Sequence, residues 1–127
     1  MKTVLVVCDH GTSSMLYASG MQRSADGKTP GQFTFLARGI MARQPSTAEM
    51  EAAVAILAPY AKSDLARMPG MGLPADYMES WRKFLEEMES RGKPVFAYND
   101  YVKREPVFPP EMIEKILRLE KIDGSTK

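Results

Sequence analysis

The hydrophobic positions of this chain form one continuous run near the start and several helically spaced stripes after it. The run from Val4 to Cys8 is apolar on both faces of an extended chain, which is typical of a strand buried inside a parallel sheet. A polar loop containing Gly11 follows the run, and helical spacing begins at about Ser13. A strand that feeds a helix through such a loop is the first half of a β-α-β unit.

Strand-like and helix-like spacing of hydrophobic residues also predicts further strands and helices along the chain. Strands are predicted where aromatic and β-branched residues cluster, over 32–37 and 94–98. A fourth strand could lie near 63–66 or in the C-terminal tail. Helices are predicted over about 13–23, 46–60, 75–91 and 110–119.

The second predicted helix rests on a capping box. Ser46 and Glu49 stand three residues apart in front of an apolar run, which is a typical helix start. We therefore predict a helix to about Tyr60, with a buried stripe through Met50, Val54 and Leu57 that could extend to Tyr60. The third helix has the clearest single stripe, and we interpret that stripe as core rather than as a cofactor site. It consists of Tyr77, Trp81, Phe84, Leu85 and Met88.

This order of elements predicts parallel strands joined by right-handed crossovers. We therefore predict a single α/β domain over residues 1–127, with a small three-layer, flavodoxin-like fold. A parallel sheet is expected in the middle, with helices on both faces. In open sheets of this class, ligands bind at the carboxyl ends of the strands. The residues that follow each predicted strand are consequently the first candidates for a site.

Composition narrows the classes of partner. Seventeen basic residues oppose sixteen acidic ones, a net charge of +1, which argues against an electrostatic grip on nucleic acid or on an anionic membrane. No apolar run approaches the roughly 20 residues that a transmembrane helix needs. The first apolar run is also too short for a signal sequence. With one cysteine there can be no disulfide within the chain, so we expect a cytoplasmic protein.

Cys8 and His10 are the candidate catalytic residues. A thiol at a strand end that faces a helix start would be acidified by the positive end of the helix dipole. The only histidine lies two residues away. Two structural alternatives stay open, because cysteine is often a small buried hydrophobic residue and a loop histidine often bonds a backbone carbonyl. One histidine and one cysteine do not make a zinc site, so no metal is predicted.

The segment Gly11-Thr12-Ser13-Ser14 could cradle an anion with its backbone amides at the helix start. The alternative is an ordinary turn with a serine helix cap. A tyrosine-phosphatase loop is excluded, because it needs an arginine six residues after the cysteine and Ser14 stands there.

Other strand ends supply more candidate ligand-binding residues. Asn99 and Asp100 follow the 94–98 strand and Arg38 closes the 32–37 strand, so these side chains could converge with Asp9. Turn chemistry is the alternative explanation for Asn and Asp at a strand end. Met71, in a loop rich in glycine and proline, could line the same pocket. The predicted ligand-binding set is Asp9, Gly11, Thr12, Ser13, Arg38, Met71, Asn99 and Asp100.

Several segments together resemble the DsrE-like family, the sulfur-relay superfamily that includes DsrE, DsrF and DsrH and TusB, TusC and TusD. They are Asp9-His10-Gly11-Thr12, the strand 33–39, the loop Met68-Pro69-Gly70-Met71, and Gly92-Lys93-Pro94-Val95-Phe96-Ala97-Tyr98. The resemblance covers about residues 1–45 and 65–104. It implies a small α/β fold with a parallel sheet, assembly into trimers or hexamers, and in some members persulfide sulfur carried on a cysteine.

The family's cysteine lies just past the strand that follows the third helix. The matching positions here are 98–101, none of which is cysteine, and Cys8 belongs to another strand. The resemblance therefore implies a non-catalytic or weakly catalytic member tied to sulfur or redox metabolism. Such a protein would need no cofactor, would bind a small anionic ligand or a partner, and would form a homo-oligomer or assemble with related subunits.

A second resemblance is to the IIB component of sugar phosphotransferase systems. That family phosphorylates a cysteine at the end of its first strand, in a Cys-x-x-Gly-x-Ser-like loop ahead of a helix. Cys8, Gly11, Ser13 and Ser14 match this pattern. The long second helix and the 68–71 loop do not, so a phosphocysteine carrier is the alternative hypothesis. A structural oligomeric module is a third, based on the ten methionines and the incomplete catalytic set.

Overall fold

A computed structural model describes residues 1–67, 72–100 and 103–125. Strands and helices alternate along the first half of the chain, as a β-α-β sequence requires. The strands are β1 Lys2–Cys8, β2 Phe33–Gly39, β3 Ala53–Ala58, β4 Val95–Ala97, β5 Asn99–Asp100 and β6 Glu105–Pro106. The helices are α1 Thr12–Lys28, α2 Thr47–Ala52, α3 Lys62–Leu65, α4 Ala75–Ser90 and α5 Pro109–Ser125.

The main sheet has four parallel strands in the order β2-β1-β3-β4. β1 lies between β2 and β3, and its residues Val4 to Val7 are completely buried. A small antiparallel pair, β5 and β6, follows the last strand of the sheet. The predicted α/β class with a parallel sheet is confirmed, and the first apolar run is an interior strand.

Helices cover both faces of the sheet, which gives the predicted three layers. On one face α1 and α5 pack their buried residues against Val4, Val6 and Phe35. On the other face α2 and α4 pack against Leu5 and Val7. Alternate residues of β1 therefore enter opposite cores, as the period of two in a strand requires. This arrangement leaves the carboxyl ends of the strands as the accessible edge.

The predicted second helix, 46–60, is wrong over most of its length. The capping box of Ser46 and Glu49 exists and starts α2, but the helix ends at Ala52 and β3 follows directly. The reason lies in the run Ala-Val-Ala-Ile-Leu-Ala, which is apolar on every face and pairs with β1. Burial on both sides of a sheet stabilises this run more than a helix with one buried stripe would. Met50 and Leu57 are buried as predicted, whereas Val54 and Tyr60 are half-buried.

Helix lengths also differ from the sequence prediction. α1 continues to Lys28 and α5 to Ser125, both beyond their predicted ends. The 63–66 segment, considered for a fourth strand, lies largely in α3. None of the helices within the described residues combines the length and the apolar character needed to cross a membrane.

Removing the α2 cap should cost measurable stability. The Ser46 hydroxyl accepts from the Glu49 amide at 3.1 Å, and the Glu49 carboxylate accepts from the Ser46 amide at 3.0 Å. We expect Ser46→Ala to lower the free energy of unfolding by about 1 kcal/mol, measured by urea denaturation. The neighbouring exposed Thr47→Ala is the control. Equal stability of the two variants would contradict a stabilising cap.

Candidate functional site

A cavity of about 460 Å³ opens at the carboxyl edge of the sheet. Its walls come from the segments that follow β1, β3 and β4 and from the first turn of α1. They comprise Cys8, Asp9, His10, Thr12, Ser13, Pro59, Tyr60, Tyr77, Tyr98 and Asn99. Both the size and the mix of aromatic and polar walls are typical of small-ligand sites. The cavity therefore lies at the edge where open α/β sheets usually bind their ligands.

Cys8 lies at the base of this cavity, at the junction of β1 and α1. Its Sγ accepts hydrogen bonds from the backbone N–H of Gly11 at 3.0 Å and from that of Ser14 at 3.3 Å. Gly11 makes this possible with a left-handed φ of 89°, which turns the chain from the strand into the helix. Two amides that are unpaired at a helix start thereby point at one sulfur atom.

The environment of Cys8 favours the thiolate. Burial by itself raises the pKa of a thiol, but hydrogen bonds from Ser14, Gly11 and His10 act in the opposite direction. Together they outweigh burial, and the pKa of Cys8 lies below its ordinary value of 9.0. The thiolate is the nucleophilic form of cysteine. The site therefore places a thiol with a lowered pKa against the cavity.

Ser14 links the sulfur to the neighbouring strand. It is fully buried, its hydroxyl lies 3.3 Å from Cys8 Sγ, and it donates to the Arg38 carbonyl oxygen at 3.2 Å. A serine hydroxyl has one hydrogen, so it cannot serve both acceptors at once. With the thiol, the S–H donates to Ser14, which donates to Arg38. With the thiolate, the hydroxyl turns to the sulfur.

Asp9 is held by α4. Its carboxylate accepts from the Tyr77 hydroxyl at 3.0 and 3.1 Å and from the Trp81 indole N–H at 2.9 Å. The Tyr60 hydroxyl lies 2.8 Å from that of Tyr77. Because the Tyr77 hydroxyl donates its only hydrogen to Asp9, the Tyr60 hydroxyl is the donor in the pair of tyrosines. The chain of donors runs from Tyr60 through Tyr77 to the carboxylate, which is thereby fixed on the α4 side of the cavity.

The Tyr77 phenol is a stable donor in this network. Burial raises its pKa, the hydrogen bond with Tyr60 lowers it, and the Asp9 carboxylate raises it again. The net direction is upward, so the phenol keeps its proton across the neutral pH range. Tyr98 fixes the opposite wall, since its hydroxyl donates to the Val7 carbonyl at 2.9 Å and its ring stacks on Tyr17.

The cavity brings together part of the predicted site. The residues that line it include Cys8 and His10, the two catalytic candidates, and four predicted ligand-binding residues. Those four are Asp9, Thr12, Ser13 and Asn99. Gly11 is buried beneath them and contributes its amide to the sulfur. Asp100 lies in the β5–β6 pair, where its carboxylate accepts from the Lys103 amide. Met71 falls outside the described residues.

Arg38 does not line the cavity, contrary to its assignment as a ligand-binding residue. Its guanidinium binds both oxygens of the Glu49 carboxylate, one of them from Nε at 3.0 Å. This pairing holds the pKa of Glu49 below its usual range. Sequence order placed Arg38 at the correct strand end, but its side chain is satisfied by α2. Only its carbonyl oxygen reaches the cysteine loop, through Ser14.

Four residues of the cavity wall are not among the predicted site residues: Pro59, Tyr60, Tyr77 and Tyr98. Tyr60 and Tyr77 were attributed to apolar stripes, and Tyr98 was only a position compared with a family cysteine. A usable signal existed, because a tyrosine at the end of an apolar stripe needs a partner for its hydroxyl. No cluster of three metal-ligating side chains occurs among the residues that the structure describes.

Comparison with protein-family models, with curated proteins and with solved structures finds no match for this chain.

The lowered pKa of Cys8 predicts a pH dependence of stability. Between the folded-state pKa and 9.0, the unfolded chain binds a proton that the folded chain does not. Stability contributed by the thiolate therefore rises with pH through this window, levels off above it, and is lost as pH falls. We expect the difference in unfolding free energy between wild type and Cys8→Ser to shift in favour of wild type from neutral pH to about pH 9. A difference independent of pH would contradict a stabilised thiolate.

Proposed function

We propose that this protein is a phosphoryl carrier that accepts a phosphoryl group on Cys8 and passes it on. The observation that carries the proposal is the pair of backbone amides, Gly11 and Ser14, directed at the sulfur from the start of a helix of 17 residues. The same geometry that stabilises a thiolate suits a phosphoryl group on that sulfur, because both are anionic.

The transfer step needs only the thiolate and a donor. Cys8 Sγ attacks the phosphorus of a phosphorylated donor side chain, so that an S–P bond forms. The bond between phosphorus and the donor atom breaks, and its electron pair leaves with the donor. No redox change occurs, and transfer to an acceptor is the same step in reverse. The amides of the loop stabilise the charge on the phosphoryl oxygens during transfer.

The loop pattern supports the same assignment. Cys8, Gly11, Ser13 and Ser14 match the phosphocysteine loop of the sugar phosphotransferase IIB family, and here the cysteine does end β1 ahead of α1. One objection to that resemblance was the long predicted second helix. Because 53–58 is a strand of the sheet, that objection no longer applies.

Asp9 and Arg43 are the charged side chains beside the loop, and each affects how an anionic group could bind there. A carboxylate next to the nucleophile would repel a dianion, but Tyr77 and Trp81 hold Asp9 and share its charge through hydrogen bonds. Arg43 packs its Cδ beside Gly11, 3.7 Å from where a Cβ on that residue would lie. An exposed cation at the rim of the loop favours approach of an anionic group.

Direct phosphorylation tests the proposal. The protein is incubated with phosphoramidate, a small donor that transfers phosphoryl from nitrogen, and its intact mass is measured at neutral pH. We expect one added phosphoryl group on wild type, mapped to Cys8, and none on Cys8→Ala. The Ser24→Ala variant, altered on α1 away from the loop, is the matched control and should be labelled like wild type. Wild type that stays unmodified while a known phosphocysteine protein is labelled would overturn the proposal.

A second candidate is a role in sulfur relay, as the DsrE-like resemblance implies. One observation favours it: Tyr98 and Asn99, near the family's usual cysteine position, line the same cavity as Cys8. The thiolate would attack the outer sulfur of a donor persulfide, forming one S–S bond while the donor leaves as a thiolate. Incubation with a persulfide donor would then add one sulfur atom. The trimer or hexamer implied by that family stays a prediction, which a native mass measurement tests.

A further inference from the structure

The carboxyl end of β2 approaches the cysteine loop more closely than any side chain would permit. A Cβ built on Gly39 would lie 2.6 Å from the His10 carbonyl carbon and 2.7 Å from the Gly11 nitrogen. It would lie closer still to the Ala42 carbonyl oxygen. All three neighbours are backbone atoms, which cannot rotate away as a side-chain end can. Any residue other than glycine must therefore displace the loop or the strand end.

Backbone hydrogen bonds tie the two segments together around this contact. Cys8 pairs with Gly39 in the sheet register. Beyond the strand, the Ile40 amide donates to the Cys8 carbonyl at 2.9 Å and the Met41 amide donates to the Asp9 carbonyl at 2.8 Å. The Gly39 amide donates to the Arg43 carbonyl at 3.2 Å, so the chain folds back over the glycine. The peptide between His10 and Gly11 is consequently supported from behind by β2.

We propose that Gly39 is a positioning residue for Cys8, whose missing side chain lets β2 support the His10–Gly11 peptide and so hold the Gly11 N–H against the sulfur. The glycine touches neither the sulfur nor any group carried on it. It acts through the peptide whose nitrogen lies 3.0 Å from Sγ. The proposal rests on the thiolate that the proposed function also uses, but it does not depend on which group the sulfur carries.

The reasoning from the added Cβ to the reactivity of the sulfur has two steps. Relief of contacts of 2.6 and 2.7 Å requires the His10–Gly11 peptide or the strand end to move by several tenths of an ångström or more. The amide bond to Sγ then lengthens or tilts, and hydrogen bonds weaken steeply with poor geometry. A weaker hydrogen bond from the Gly11 amide stabilises the thiolate less, so a smaller fraction of Cys8 is thiolate at neutral pH.

Alkylation by iodoacetamide as a function of pH tests the proposal on the full chain. We expect Gly39→Ala to react about 3- to 10-fold more slowly than wild type at neutral pH, the range for one weakened hydrogen bond. The midpoint of its pH profile should move up, and the rate at alkaline pH should stay close to wild type. Gly27→Ala is the matched control, because nothing lies within 4 Å of a Cβ there. It should react like wild type.

A folded Gly39→Ala whose pH profile coincides with that of wild type overturns the proposal. If Gly39→Ala does not fold in plain buffer, the pH profiles of wild type, Gly39→Ala and Gly27→Ala are recorded in trimethylamine N-oxide, which favours the folded state. Slower alkylation of Gly39→Ala with a raised midpoint there supports positioning by β2, and a profile that coincides with that of wild type overturns it. Neither result depends on phosphoramidate labelling. The proposed function can therefore fail while this inference stands, and this inference can fail while the proposed function stands.

Discussion

Replacement of Cys8 by serine is expected to abolish covalent labelling while the fold stays intact. Serine has nearly the same shape and keeps a partner for the Gly11 and Ser14 amides. Its hydroxyl lacks the low pKa and the intrinsic nucleophilicity of a thiol. We expect labelling by phosphoramidate or iodoacetamide to fall at least about 1,000-fold, measured by intact mass.

The control for this prediction is stability. Cys8→Ser should unfold in a single transition within about 2 kcal/mol of wild type near neutral pH. An adduct of unchanged yield on Cys8→Ser would mean that another residue carries the group. A mapped peptide would then identify that residue, and the assignment of Cys8 would be wrong.

Trp81→Ala should be the most destabilising single change on α4. Trp81 is fully buried, forms an edge contact with Tyr60 at 5.4 Å between ring centres, and donates to Asp9. Its loss leaves a large void and removes one donor from a partly buried carboxylate. We expect the free energy of unfolding to fall by about 3–5 kcal/mol, measured by urea denaturation with circular dichroism.

Two further variants separate packing from the hydrogen bond. Trp81→Phe keeps a ring in the core but has no N–H for Asp9, and should cost roughly half as much or less. Exposed Ser80→Ala, on the same helix, should be close to neutral. If Trp81→Phe were as damaging as Trp81→Ala, the indole N–H would matter more than the packing of the ring. If Ser80→Ala were equally damaging, the effect would belong to the helix as a whole.

The local sequence pattern is sufficient to predict β1 as a strand, but it is insufficient to predict β3. The run Val4 to Cys8 stands between polar residues, so its length and burial could be read directly. The run Ala53–Ala58 follows a genuine capping box without any helix-breaking residue between them. The local pattern therefore predicts that the helix continues through this run. What ends α2 is pairing of this run with β1, a contact between distant segments that no local signal contains.

In the candidate site, too, some residues could be predicted from the local sequence and others could not. Cys8 ends a buried strand and Asp9 and His10 follow it in sequence, so the rule for strand ends was enough to find them. Tyr77 lies on α4, and its approach to Asp9 depends on how that helix packs against the sheet. Arg38 is the converse case: its position at a strand end can be predicted, but its pairing with Glu49 depends on where α2 lies relative to the sheet.

The central position of β1 has a consequence for how the chain folds. Lys2 pairs with Phe33 and Val4 pairs with Ala55, both in parallel, so no strand of the four-stranded sheet can assemble through a hairpin. Long loops have to close before any of these pairs forms, and topologies of this kind fold slowly. During synthesis the apolar first strand waits for partners that emerge from the ribosome later. That interval is when aggregation or capture by a chaperone competes with productive folding.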